Sequence, residues 1–146
     1  MEATIEEQAV DTLLRLMEFY HDKLLKAEKQ AFTGIQAAQF RLLFLLTSVP
    51  MISMSALGNM LYISKPYMTT LIDSLIAEEL VERHPDNHDR RVINISITEK
   101  GLERLNVVKS AIQKQLRSVL SDLEESDLKD LCSTGERLVS IVSKIQ

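Results

Sequence analysis

The chain has 146 residues, 45% of them hydrophobic and 26% charged, which is enough for one domain with its own core and short for two. No run approaches the ~20 apolar residues that a membrane-spanning helix needs, and the single cysteine, Cys132, excludes an internal disulfide or a cysteine-based metal cluster within one chain. A net charge of −4 argues against coating nucleic acid by bulk charge, and the acidic start, Met1-Glu2-Ala3-Thr4, lacks the order of a secretory signal, so a cytoplasmic protein is expected.

Ile5, Ala9, Leu13, Leu16, Tyr20, Leu24 and Ala27 recur at steps of three or four, which predicts an amphipathic helix over residues 4–29. Thr33-Gly34 breaks the pattern. Residues 36–47 resume it with Phe40, Leu42, Leu43, Leu45 and Leu46 on several sides, so this second helix is expected at the centre, and Ser48-Val49-Pro50 ends it. Ser53 is placed to cap a third helix running to about Leu61, with Leu57, Met60 and Leu61 inward. Tyr62-Ile63 is the turn. Ser64 caps a fourth helix, where Pro66 is tolerated because the first turn lacks backbone acceptors. Its apolar residues Met68, Leu71, Ile72, Leu75 and Ile76 leave Lys65, Tyr67, Thr69, Thr70 and Ser74 largely on other faces.

The period then changes. Leu80, Val81 and Arg83 lead into a Pro85-Asp86-Asn87 turn, and Val92, Ile93, Ile95 and Ile97 mostly alternate, which reads as a β-hairpin. A short polar helix followed by a two-stranded ribbon fits B-DNA, whose major groove of ~12 Å admits the helix and whose minor groove of ~6 Å admits the ribbon. A narrow minor groove rewards an inserted cation, so Arg90 and Arg91 are the candidates for that place. Residues 82–91 set Arg83, Arg90 and Arg91 against Glu82, Asp86 and Asp89, so geometry rather than net charge must make the hairpin attractive to DNA.

Thr98 is placed to cap a fifth helix carrying Leu102, Leu105, Val108, Ile112, Leu116 and Val119 at near-heptad spacing. A last helix from about Glu124 carries Leu128, Leu131, Leu138, Ile141, Val142 and Ile145. Gly135 inside it lowers stability by about 1 kcal/mol relative to alanine, which predicts a kink or a close approach there. Cys132, beside Leu128 and Leu131, is expected to pack as a small hydrophobe. The first helix and the last two are too long for one small lobe to cover. A second copy of the same helices is the simplest partner, which predicts a two-fold homodimer.

Leu80 to Arg83, Asp89 to Arg91 and Ile97 to Gly101 read Leu-Val-Glu-Arg, Asp-Arg-Arg and Ile-Thr-Glu-Lys-Gly. With the preceding helix-turn-helix, from about Ser53 to Glu79, they resemble the MarR (multiple antibiotic resistance regulator) family of winged helix-turn-helix transcription factors, and the likeness covers nearly the whole chain. The resemblance implies a mainly α fold with a small β-hairpin wing, as a single MarR-like domain over residues 1–146. Residues 1–32 and 102–146 would be dimerisation helices and 36–101 the winged DNA-binding lobe. It implies a dimeric repressor that reads a palindromic double-stranded operator with half-sites some 34 Å apart. It also implies release of that operator when a small amphipathic or aromatic molecule binds between the dimer helices and the lobe.

By position in the resembling motif, the DNA-facing residues are Ser64, Lys65, Tyr67, Thr69, Thr70 and Ser74 of the recognition helix, with Arg83, His88, Asp89, Arg90 and Arg91 of the wing. The threonine and serine hydroxyls are short donors to base edges or phosphates, or simply solvated groups. Asp89 is suited to hold the Arg91 guanidinium by a charge-assisted bond. Thr70 and Ser74 stand where relatives often carry arginine, which removes bidentate guanine contacts worth ~1–3 kcal/mol each and shifts weight to the wing. Tyr62 and Glu79 stand where relatives commonly have glycine, at positions that call for a left-handed backbone.

The surfaces matching the family's effector site point to Tyr20, Phe40, Phe44 and Met51, residues that also read as plain core. His84 and His88 lie four apart on a hairpin rather than on one helix face, so phosphate contact is expected of them and no metal or other cofactor. Residues 1–131 contain no cysteine, so the peroxide sensing of some relatives does not carry over. The competing reading is a winged-helix protein interaction module with weak or no operator binding, motivated by the acidic balance and the missing arginines. An enzyme finds no support, because four glycines and three scattered histidines assemble neither a catalytic triad, a phosphate-cradling loop nor a metal spacing.

Overall fold

The computed structural model describes residues 3–32 and 35–145. Helix α1 (Ile5–Phe19) starts at a capping box in which Thr4 and Glu7 satisfy each other's backbone N–H groups at 3.2 and 2.7 Å. It passes through a π-helical turn, Tyr20–Leu24, where the Leu25 N–H reaches back five residues to the Tyr20 carbonyl, and continues as α2 (Leu25–Ala31). The single helix predicted over 4–29 is therefore interrupted, a register change that helical spacing alone does not reveal. The break expected at Thr33-Gly34 lies outside the described residues.

Helix α3 (Ala37–Ser48) buries Gln39, Leu42, Leu43 and Leu46 and forms the centre of the lobe. A short strand, β1 (Ile52–Ser53), leads into α4 (Met54–Met60) and α5 (Lys65–Ala77), followed by β2 (Val81–Pro85) and β3 (Ile93–Ile97). Two long helices, α6 (Glu99–Val119) and α7 (Glu125–Val142), complete the chain. Among the described residues no helix is long and apolar enough to cross a membrane.

The β-hairpin of the sequence reading is one half of a three-stranded antiparallel sheet with order β1-β3-β2. Ile52 pairs with Ile95 and Ser53 with Asn94, so the strand before the helix-turn-helix closes onto the wing from the other side. Two residues carry too short a pattern to announce a strand; only the free edge of β3 makes it one. The core joins Leu42, Leu43 and Leu46 of α3 to Leu57, Ile72, Leu75, Leu80, Ile95 and Leu105, each essentially removed from solvent. Such burial contributes about 1.5–3 kcal/mol per side chain against exposure, before the entropy of ordering it.

Both left-handed positions come out as expected. Helix α4 ends with Tyr62 at φ 54° and α5 with Glu79 at φ 63°. In each, the two N–H groups past the helix cap the last carbonyls: Tyr62 to Asn59 and Ile63 to Gly58, Glu79 to Ile76 and Leu80 to Leu75, a Schellman arrangement that usually calls on glycine. Gly101 has a different reason to be glycine, since a Cβ there would lie 2.2 Å from the Leu80 carbonyl oxygen. That is where the first turn of α6 presses on the base of the wing.

Three expectations for the helices need correction. Met60 is exposed, because α4 is only seven residues long and ends as it leaves the lobe. Gly135 has no atom within 4 Å of where a Cβ would stand and α7 continues through it, so within one chain it marks neither a kink nor a close approach. Cys132 is exposed rather than packed, as no side chain of α7 is buried within one chain. Helix α1 likewise buries none of its side chains, and Ile5, Leu14, Val139 and Ile145 lie open.

Candidate nucleic-acid interface

Ser53 accepts the Ala56 N–H at 3.2 Å to start α4, and the turn at Leu61-Tyr62-Ile63 delivers the chain to Ser64, the N-cap of α5. Gly58 permits the two helices to cross closely, since a Cβ would meet the Met68 side chain at 3.0 Å. Met68, Leu71, Ile72 and Leu75 turn into the lobe, leaving Ser64, Lys65, Tyr67, Thr69 and Thr70 exposed on the outer face of α5. The Thr69 and Thr70 hydroxyls donate to the carbonyls of Lys65 and Pro66 at 3.2 and 3.3 Å. Their hydrogens are thus committed to the helix, and outward they offer methyl groups and oxygen lone pairs. Those suit a thymine methyl or a base amino group rather than a phosphate oxygen.

Ser74 departs from the sequence reading. Its hydroxyl donates to the Leu71 carbonyl at 2.7 Å and accepts from Gln39 Nε2 at 3.2 Å, so it faces α3 instead of the outer surface. The residue lies about a helical turn beyond Thr70, where α5 has rotated toward α3. Arg83 is also differently employed, its guanidinium paired with Asp73 of α5 across the base of the wing. That exposed pair is worth ~0–1 kcal/mol and tethers β2 to the recognition helix.

The wing tip is organised by Asp86. Its Oδ2 accepts the backbone N–H groups of His88 and Asp89, both at 3.0 Å, and its Oδ1 accepts from the Asn94 side chain at 3.2 Å. The two backbone donors, then Asn94, hold its carboxyl below the usual carboxylate range. The Asp-Asn turn signal was visible in the sequence; the part played by Asn94, eight residues away, needed the β2–β3 register. Asp89 accepts the backbone N–H of Arg91 at 2.9 Å, so it fixes the direction of the chain at Arg91 rather than gripping its guanidinium. His84 shares a hydrogen bond with Ser96 at 2.7 Å across the sheet through its Nε2, while His88 stays exposed.

Arg90 and Arg91 are both exposed. Lys65 and Thr69 from α5, Asn59 from α4 and Arg91 from the wing line one concave groove of about 490 Å³. The fold thereby joins the start of the recognition helix to the wing arginine, residues more than twenty apart in sequence.

A second concavity, about 370 Å³, lies between the π-helical turn, α3 and α6. Tyr20, Phe40 and Phe44 line it, but Met51 does not, because it sits exposed just before β1. Phe40 and Phe44 stack at 6.2 Å, and Lys109 places its Nζ 5.5 Å over the Phe44 ring. The Tyr20 hydroxyl donates to Glu28 at 2.9 Å; burial first, then that carboxylate, hold the phenol above its usual range. Glu28 and Lys109 were missed from the sequence, which shows amphipathic helices but not which polar residue rims a cavity.

The sequence model of the MarR family matches residues 35–93, the stretch from α3 to the start of β3. The chain is 23% identical over 125 residues to the uncharacterised HTH-type transcriptional regulator YdgJ of Bacillus subtilis, covering 86% of this chain and 76% of that protein. A MarR family protein from Bacillus stearothermophilus superposes with a TM-score of 0.77 at 23% identity, over 97% of this chain and 99% of that one. A MepR-like protein crystallised with pseudoligands is 30% identical over 98% of this chain and all of its own, with a TM-score of 0.56.

Proposed function

The chain belongs to the MarR family and is a DNA-binding regulator of transcription, and from that premise we propose that it works in the cytoplasm as a homodimeric repressor of a palindromic operator, released by a small amphipathic or aromatic molecule. The observation that carries the proposal is the groove where Lys65 and Thr69 of α5 meet Arg91 of the wing. Helix α5 enters the major groove with Lys65, Tyr67, Thr69 and Thr70 outward, and its start, at Ser64, presents backbone N–H groups to a phosphate. Arg90 and Arg91 reach the neighbouring minor groove, with the wing tip held rigid by Asp86. The apolar residues left open on α1 and α7 pack against a second copy, which sets two α5 helices about one turn of DNA apart.

Release follows if the effector, held against Phe40 and Phe44, favours a different spacing of the two lobes; equal affinity for both spacings would shift nothing. The test is a mobility-shift titration on the DNA upstream of the chain's own gene, at several salt concentrations. Selective binding that weakens steeply with salt supports a repressor of this kind. Absence of binding at low salt supports instead a protein interaction module, the reading that its acidic net charge favours.

A further inference from the structure

Among the described residues, Gln39 is the buried polar side chain of the lobe, 7% exposed, and its two contacts fix it at both ends. Its Oε1 accepts the Gln36 N–H at 2.9 Å in the first turn of α3, which leaves Nε2 to donate to Ser74 Oγ on α5 at 3.2 Å. Ser74 in turn is anchored to its own helix through the Leu71 carbonyl. The chain of bonds runs from the backbone of α3 to the backbone of α5. The core around that bond is apolar, with Leu42, Leu43 and Leu46 of α3 and Met68, Leu71, Ile72 and Leu75 of α5, whose packing is strong but non-directional and tolerates small rotations. A hydrogen bond does not.

We propose that Gln39 and Ser74 are the positioning pair that fixes the angle of the recognition helix against α3, and so determines operator selectivity without either residue touching DNA. The inference rests on the DNA-binding reading above. Side-chain tips lie roughly 5–6 Å from the axis of α5, so a roll of ~10° about that axis stretches the Ser74–Gln39 bond by roughly 1 Å and shifts Lys65 and Thr69 by about as much across the DNA face. Hydrogen bonds to base edges lose most of their value over a displacement of that size, whereas attraction to phosphates falls only slightly. The pair therefore affects selective binding and leaves non-selective binding nearly intact. The same α3 presents Phe40 and Phe44 to the second concavity, which places the bond between that cavity and the DNA face.

The experiment measures affinity of the full-length protein for its selected operator and for a random duplex of equal length, in Ser74→Ala, Gln39→Met and the double variant, with thermal unfolding followed in parallel. Operator affinity is expected to fall three- to tenfold in each single variant and no further in the double, with random-duplex affinity within twofold of wild type. Additive losses, or Ser74→Ala binding the operator as wild type does, would overturn the pairing. If Gln39→Met fails to fold, Ser74→Thr against Ser74→Ala decides. Retention with threonine and loss with alanine supports the bond, and equal behaviour refutes it. A wild-type protein that shows no preference for any duplex removes the DNA-binding reading itself, a result distinct from a selective wild type with indifferent variants.

Discussion

Replacing Gly101 by alanine tests how the wing is fastened to the long helix behind it. The added methyl would sit 2.2 Å from the Leu80 carbonyl oxygen and 2.7 Å from Cγ1 of Ile97, so the first turn of α6 must withdraw from the base of the wing by roughly 1 Å to restore ordinary contact. That movement strains two bonds made by Thr98, its N–H to the Leu80 carbonyl at 3.1 Å and its hydroxyl to the Glu79 carbonyl at 2.7 Å. Each is worth about 0.5–1.5 kcal/mol, and overpacking adds about 1–3 kcal/mol, against a gain of at most ~1 kcal/mol from alanine's helix preference. The net is a destabilisation centred near ~3 kcal/mol, or a fall of about 9 °C in Tm for a chain of this size.

Gly135→Ala is the matched control. Within one chain nothing stands within 4 Å of its Cβ position, so the same substitution should raise stability by up to ~1 kcal/mol. Both are read by urea and thermal unfolding at one fixed protein concentration, because a dimer's stability depends on concentration. A Gly101→Ala protein melting at or above wild type would refute the reasoning. It would show that the contact at Leu80 relaxes without loss.

Arg91→Ala should weaken operator binding by about 1 kcal/mol or more, lower the steepness of the salt dependence by about one counterion, and leave Tm unchanged because the guanidinium is exposed; isothermal titration across salt concentrations checks all three. Asp86→Ala should reduce operator affinity even though it removes a negative charge from the wing, since it frees the His88 and Asp89 N–H groups that shape the wing tip. The Asp86 carboxyl is held below its ordinary range in the folded chain, so its stabilising effect is complete above the unfolded value of ~3.9 and fades as pH falls through the lower folded value. Acid unfolding of wild type and Asp86→Ala should therefore converge at the lowest pH. Val139→Asp places a charge on an open apolar face of α7 and should yield monomers by light scattering, a cleaner probe than Leu116, which lines the second concavity. A dimer that persists would put the interface elsewhere.

Most of the architecture is legible along the chain because it is local. Helical spacing marks the helices, Ser53, Ser64 and Thr98 mark three of their starts, although the Ser64 side chain makes no capping bond, and the Asp-Asn turn between alternating strands marks the wing. Tyr62 and Glu79 were legible as left-handed positions only through the resemblance, because relatives commonly carry glycine there. Lys65, Thr69 and Thr70 stay on the outer surface because the periodicity of α5 puts them there, and Arg90 and Arg91 because they lie in the turn at the wing tip.

The tertiary structure alone decided what depends on distant partners. Ser74 faces inward because Gln39, 35 residues earlier, offers its amide; Arg83 points back because α5 brings Asp73 to it; and β1 is a strand because β3 has a free edge. Exposure of Cys132 and the empty surroundings of Gly135 follow from α7 standing clear of the lobe, which an apolar stripe cannot reveal. Periodicity fixes which residues share a face of a helix or strand. Which neighbour that face meets is set by the packing of elements far apart in the chain, and that packing commits a hydroxyl or a guanidinium to the protein's interior bonds or leaves it for DNA.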